Sequence, residues 1–484
     1  MEKYTNLNLN YINGEWKDGS GDKKIIDNNP YSGEEIAAFK VATLEDIDEA
    51  YKGAEEKQKS WGNTNAYKRN EIMNKAVQIM KERYDEIIDI IVRETGSTVI
   101  KAHVELDSCI GVTARAAGYP FHMETNISPS IIPGKKNYIV KKPAGVIGVI
   151  SPFNFPMFLA MRTVAPALAA GNGVVLKPSS STPIAGGTLI AKIFEEAGIP
   201  KGVLSVVTPK SSEIGDGFYE HPVPSVISFT GSTAVGQRIG EVAGREVKKT
   251  MLELGGNNAL VVLDDADVDY AVKSAVFGRY FHSGQICMST NRIIVDQSIF
   301  DEFAEKFVEL TKNLKVGDPS KDDTLVGPVI DEKEANRILE WVEKAKKEGA
   351  EVLLEGKKER TLVYPYVIKA TNETWTAKKE MFGPVANLIV AKDEEDALKI
   401  ANDTEAGLSG AVHTKDKERG FKFAKGWKTG MVHINDQSVN DEPGIAFGGE
   451  KKSGIGRFGR EITLDEVTTY MWISDQEEPR EYPL

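Results

Sequence analysis

The chain has 484 residues, 41% hydrophobic and 27% charged, an ordinary soluble globular composition with room for roughly two to four domains. Its formal net charge of −12 disfavours nucleic acid or an anionic membrane as the main partner, and no run approaches the ~18 apolar residues of a membrane span. The opening MEKYTNLNLNYINGEW lacks a basic stretch followed by an apolar one, so no secretory signal is expected. Two distant cysteines, Cys109 and Cys287, point to a reducing cytoplasm rather than a disulfide framework. The lack of CxxC pairs and His-x-x-x-His clusters predicts no metal site.

In chain order, NISPSIIPGKKNYIVKKPAG within 124–145 predicts a hairpin with Pro-Gly at its turn. From about residue 145 short β-branched runs alternate with helical patterns. VIGVIS precedes a helix near 157–170, and VVLK precedes IAGGTLIAKIFEEAG, which has helical apolar spacing. LSVV and VISF are each followed by a further helix. This is the pattern of a mostly parallel α/β sheet with helices on both faces. A second α/β block follows residue 258. It contains ALVVL, a helix from about Asp267, NRIIV, a helix from Phe300, and further elements up to VHIN. The C-terminal TTYMWIS reads as an exposed strand. With the hairpin, it points to sheet edges completed by another subunit.

Four stretches carry candidate chemistry. FHSGQICMST holds Cys287 in a glycine-bearing loop before a strand, where a thiol is reachable. A free cysteine is ordinarily a core residue, and Cys109, in a helical pattern, is expected to be one. MLELGGNN sets Glu253 between two leucines at a strand end. Desolvation there suits a general base, against the commoner alternative of a solvent-facing strand carboxylate. SPFNFP holds Asn154, whose amide could donate to an oxyanion or simply make a turn. GIGRFG, residues 454–459, matches G-x-G-x-x-G. However, it follows loop composition and leaves too little chain for a nucleotide-binding unit, so it is not expected to be the phosphate loop.

In order and spacing these stretches resemble the aldehyde dehydrogenase superfamily over nearly the whole chain. SPFNFP, VVLKPS, FTGSTAVG, LELGGNN, GQIC, EMFGPV and FGGEKKSGIGR follow the family's order, with Glu253 and Cys287 34 positions apart. The resemblance implies an α/β fold with a Rossmann-like cofactor domain at 1–253, interrupted by an arm at 124–145. A catalytic domain would occupy 254–458, and 124–145 with 459–484 would form an oligomerisation arm. It also implies that Cys287 attacks an aldehyde to give a thiohemiacetal and that the Asn154 amide and the Cys287 backbone N–H stabilise the oxyanion. Glu253 would activate the water that hydrolyses the later thioester. For the cofactor, NAD or NADP, Lys177 would meet the adenosine ribose and Ser232 with its helix the pyrophosphate. Glu380 would hold the nicotinamide ribose, and Phe382 would pack near the ring. Ile150, Ser151, Pro152, Phe153, Ser179, Phe229, Gly231, Leu254 and Gly255 would complete the channel.

Several positions depart from the family pattern. Relatives strict for NAD often carry Glu where this chain has Ser180, so NADP use stays open. Pro209 replaces a usual glycine in the turn after LSVV. Thr163 and Phe458 stand where many relatives have a Lys and Glu proton relay, so that relay is expected to be absent. The substrate lining implied by the resemblance is Phe155, Phe158, Leu159, Arg162, Phe281, Ile286 and Met288, suited to a flat apolar ring. Arg162 would contact a ring hydroxyl or carboxylate, or else form a structural ion pair. HSGQICMSTNRIIV, MVHINDQSVNDEP and TTYMWISDQ resemble the benzaldehyde and vanillin dehydrogenase branch, although Gly444 stands where that branch often has His. The expected substrate is therefore an aromatic aldehyde and the expected assembly a homodimer or homotetramer. Aliphatic aldehydes or semialdehydes are the alternative substrates. A CoA-acylating relative or a non-catalytic redox sensor are the rival readings, and Glu253, with Cys287 and Asn154, argues against both.

Overall fold

A computed structural model describes residues 3–483. The β-loop-α segments form where the sequence pattern puts them. VIGVI becomes the strand Val146–Ile150 and GVVLK the strand Gly173–Lys177. Leu204–Val206, Val226–Thr230 and Lys249–Glu253 follow. These five pair in parallel and are largely buried, because helices cover both faces of the sheet.

Their spatial order is Leu204–Val206, Gly173–Lys177, Val146–Ile150, Val226–Thr230, Lys249–Glu253. The chain runs outward from Val146–Ile150 on one side and then resumes on the other. Such a reversal opens a crevice beyond the carboxyl ends of the central strands, where ligands of doubly wound sheets bind. Asn10–Ile12 and Glu15–Lys17 extend one edge, and Gly454–Ile455 pairs antiparallel at the other.

The helix Pro156–Ala170 (PMFLAMRTVAPALAA) fills the layer behind this crevice. All its residues except Leu159 are buried, as expected of a helix that is apolar nearly all round. Proline opens it, and Gly171, at φ 96°, ends it in the left-handed conformation glycine allows. The stretch expected to be one helix at 184–198 is instead a π-turn, Ile184–Thr188, followed by the α-helix Leu189–Ala197. The buried Glu94 carboxylate accepts the Ile184 and Ala185 N–H groups at 2.6 and 2.7 Å and holds that first turn.

A second sheet joins Tyr366–Ala370, Val385–Ala391, Thr290–Asp296, Asn258–Val262, Gly410–His413 and His433–Ile434 in parallel, with Glu351–Leu354 antiparallel at its edge. The expected helix at Asp267 is Val268–Tyr280, and the Asp267 side chain caps it by accepting the Tyr270 N–H. A third sheet pairs the hairpin Thr125–Pro129 and Lys135–Pro143 with Thr468–Gln476.

Two features differ from the sequence expectation. The range 254–458 contributes to more than one sheet. Seven of its strands between Asn258 and Ile434 build the second sheet, whereas Gly454–Ile455 pairs with Leu252 and Glu253 in the first. Residues 44–116, left unassigned by periodicity, form the helices Leu44–Gly62, Ala66–Glu82, Tyr84–Thr95 and Val99–Ala116. Among the described residues no helix is long and apolar enough to cross a membrane.

Candidate active site

A cavity of about 720 Å³ opens at the carboxyl ends of the first sheet. Every residue expected at the cofactor lines it. Ile150, Ser151, Pro152 and Phe153 follow the first parallel strand, and Lys177, Ser179 and Ser180 follow the second. Phe229, Gly231 and Ser232 lie at the next strand end, with Leu254 and Gly255 beyond Glu253. Glu380 and Phe382 come from the far side. Asn154, Glu253 and Cys287 share the same wall space.

The second sheet delivers Cys287 through a constrained loop. His282, Ser283 and Gly284 take positive φ of 50°, 55° and 72°, a conformation costly for the two non-glycine residues. Arg279, buried, holds this loop by donating to the carbonyls of Gly284 (3.1 Å) and Gly383 (2.5 Å). Asn258 Nδ2 donates to the Cys287 carbonyl at 2.6 Å. Gly256 lies so close to that carbonyl that any side chain there would collide with it. The Cys287 thiol is pushed up to about 12, first by burial and then by the carboxylates of Glu380 and Glu253; Arg162 opposes the shift. At rest Cys287 is thus a neutral thiol. Cys109, by contrast, is fully buried in the helix Val99–Ala116, as expected.

Asn154 Nδ2 donates one hydrogen to the Gln285 carbonyl at 2.9 Å. An amide nitrogen carries two hydrogens, so a second remains to be given. Glu253 ends the strand Lys249–Glu253, buried at 4% exposure, and neither carboxylate oxygen has a hydrogen-bond partner. Burial raises it to about 8, against the pull of Arg162 and Arg457. A desolvated, unpartnered carboxylate with a pKa near neutrality has the properties of a general base.

The remaining groups suit a dinucleotide. Ser232 caps the helix Thr233–Arg245 without a side-chain hydrogen bond of its own, leaving first-turn N–H groups beside the cavity. Burial brings Lys177 down to about 8. Glu380 accepts the Gly256 N–H at 3.1 Å and is raised to about 7 by burial. Phe382, at φ 45°, meets the Phe153 ring edge-on at 5.8 Å.

Of the expected substrate lining, only Leu159 reaches this cavity. Phe155, Phe158, Phe281, Ile286 and Met288 are buried in one apolar cluster, with Leu159 and Cys287 packed against it. Arg162 makes the ion pair that was one of its two expected roles. It meets Asp441, and its guanidinium lies 4.7, 4.1 and 5.4 Å from the rings of Phe158, Phe447 and Phe458. Sequence reasoning missed Phe218, Tyr219, Arg337 and Trp341, which also line the cavity. Arg337 and Trp341 lie four apart on the amphipathic helix Glu332–Lys347, where the sequence signals only a surface helix.

A model of the aldehyde dehydrogenase family matches residues 16–473. The chain belongs to the aldehyde dehydrogenase family. It is 50% identical over its full length, and the relative's, to a benzaldehyde dehydrogenase of Bacillus subtilis. A vanillin dehydrogenase of Corynebacterium glutamicum is 48% identical, with 96% of each chain covered. A crystal structure of an NAD-dependent benzaldehyde dehydrogenase from Corynebacterium glutamicum superposes with a TM-score of 0.90, at 43% identity, covering 98% of this chain and 100% of that one.

In this aldehyde dehydrogenase the places of the proton relay are otherwise occupied. The Thr163 hydroxyl shares a hydrogen bond with Ser228 at 2.8 Å, and Phe458 is buried beside Arg162. GIGRFG contributes a strand rather than a phosphate loop. Gly454 and Ile455 pair with Glu253 and Leu252, and a side chain at Gly454 would collide with the Leu252 carbonyl. The loop therefore lies against the strand that carries Glu253.

Proposed function

We propose that this chain oxidises an aromatic aldehyde to the carboxylic acid with NAD or NADP, using Cys287 as nucleophile, Asn154 as oxyanion donor and Glu253 as base. One observation carries the reading: these three residues and the dinucleotide-suited groups converge on a single cavity. The Cys287 sulfur adds to the carbonyl carbon while the thiol proton passes to solvent. The Asn154 amide and the Cys287 backbone N–H receive the developing oxyanion, each donor worth roughly 3 kcal/mol in comparable sites. A nicotinamide bound in this cavity would supply the hydride acceptor, taking the aldehyde hydrogen with its electron pair and so leaving the carbonyl carbon as a thioester. Glu253 then takes a proton from water, the C–O bond forms, the C–S bond breaks, and the thiol is restored.

Free N–H groups behind Ser232, buried Lys177 and the anchored Glu380 carboxylate support a dinucleotide in the cavity. The hydroxyl of Ser180, in place of a carboxylate, is compatible with a 2′-phosphate as well as a free ribose. Phe155, Phe158 and Phe281 around the nucleophile favour a flat ring, as do relatives named for benzaldehyde and vanillin. The same phenylalanines, Leu159, Ile286 and Met288 would bound the substrate, and Arg162 would act from behind them. Glu253 favours hydrolysis by water over transfer to CoA.

The first sheet (residues 1–253 with 454–455) would be the cofactor domain and the second (258–434) the catalytic domain. The third would be the oligomerisation arm of a homodimer or homotetramer, since Ile127, Ile131, Tyr470, Trp472 and Ile473 stand exposed on it. Free Cys109 and Cys287 suit a reducing cytoplasm. The test is a burst assay with benzaldehyde and either cofactor, read at the reduced nicotinamide. Absence of product with every aryl and aliphatic aldehyde would refute the reading.

A further inference from the structure

The helix Val99–Ala116 buries a charged pair that the chemistry above does not use. Lys101 and Glu105 stand one helical turn apart, both at 0% side-chain exposure, with Nζ 2.5 Å from Oε2. Desolvating two charges ordinarily costs about as much as their attraction returns, so an apolar pair would serve a core equally well. The pair therefore calls for a role beyond stability.

Each member has a second contact, and both lead to the active site. Glu105 Oε1 accepts the N–H groups of Met157 at 2.9 Å and Phe158 at 3.2 Å. These open the helix Pro156–Ala170, which has no side-chain cap of its own and begins two residues after Asn154. Glu105 is thus a cap supplied by another helix, and the positive end of the helix it caps favours its charge. The Lys101 ammonium lies 4.2 Å from the centroid of the Phe155 ring, the side chain next to Asn154. That ring meets His282 edge-on at 5.6 Å. His282 is the first of the left-handed residues leading to Cys287, and burial pushes its imidazole well below the usual range, leaving it uncharged. Asn154 in turn donates to Gln285, two residues before the nucleophile.

We propose that Lys101 and Glu105 are positioning residues: through the helix start at Met157 and the Phe155 ring, they hold the Asn154 amide and the Cys287 loop in register for the oxyanion. Neither lines the cavity or touches substrate. The inference rests on the aldehyde-oxidising reading above. A donor misplaced by about 1 Å loses on the order of 10²-fold in rate.

The test is a double-mutant cycle on the full-length protein with benzaldehyde and NAD or NADP. The apolar swap Lys101→Met with Glu105→Leu is expected to lower the thermal midpoint by several degrees, because the Met157 and Phe158 N–H groups lose their acceptor. It should lower kcat/KM roughly 10- to 100-fold and leave KM for the cofactor within about twofold. In an Asn154→Ala background the same swap should change kcat/KM by less than about threefold, because its target is gone. Equal losses in both backgrounds, or no loss in the wild-type background, would overturn the proposal and leave the pair purely structural. Should the swap fail to fold, Glu105→Gln, which keeps one acceptor, is read through the same cycle. A wild type that oxidises no aldehyde would instead overturn the functional reading, and the proposal with it.

Discussion

The two walls of the cavity are built in opposite ways. On one wall, Ile150, Lys177, Thr230 and Glu253 end neighbouring parallel strands, and register alone brings them level. On the other, Cys287, Glu380 and Phe382 leave the second sheet on loops, through non-glycine residues at positive φ. Arg279, Asn258 and the Gly256 N–H hold those loops in place. A dinucleotide needs a long, even surface, which a sheet provides at no conformational cost. A nucleophile needs one atom aimed at one point, and that justifies local strain.

The comparison can be broken from the largest effect to the smallest. Cys287→Ala removes the proposed nucleophile. Burst and turnover are expected to fall on the order of 10⁴-fold or more in stopped-flow and steady-state assays. Glu253→Gln should retain the burst while steady-state turnover falls by about 10²- to 10⁴-fold, and loss of the burst itself would move Glu253 to the first step. Asn154→Ala should lower kcat/KM by roughly 10²- to 10³-fold with little change in KM for the cofactor, since the sheet wall is untouched.

Protonation gives the next test. As the proposed base, Glu253 would work only when ionised, so deacylation should rise with pH through about 8. Arg162 is a cation that favours the carboxylate. Removing it in Arg162→Met should move the midpoint upward and lower turnover at pH 7 by roughly three- to tenfold, whereas Arg162→Lys should move it little. A midpoint unchanged in both variants would detach Arg162 from the base. Of similar size, Ser180→Glu should weaken NADP use by roughly tenfold through charge repulsion and spare NAD, read as the ratio of cofactor kcat/KM values.

Much of this was legible in the sequence where a local pattern carried the physics. Short β-branched runs between helical patterns predicted the parallel strands, and the apolar neighbours of Glu253 predicted its desolvation. The glycine pair after Glu253 carried no such reading, although Gly256 faces the Cys287 carbonyl. The fingerprint GIGRFG was rightly set aside as a phosphate loop, but its pairing beside Glu253 was not foreseen. That contact joins residues some two hundred positions apart and leaves no periodic trace. The substrate lining is harder to read for a related reason. Phe155 adjoins Asn154 and Phe281 precedes Cys287 by six positions, yet only side-chain direction separates a cavity wall from the layer behind it.

The sequence by itself determined the class of chemistry and the strands that deliver it, because a thiol, a desolvated carboxylate and an amide are properties of short segments. Only the tertiary structure decided which buried charges serve the site. Glu105 reaches Met157 across two helices, Arg279 bridges two loops, and Arg162 sits among three rings. A buried charge must be compensated by whatever the fold packs beside it, and that neighbour can come from anywhere in the chain.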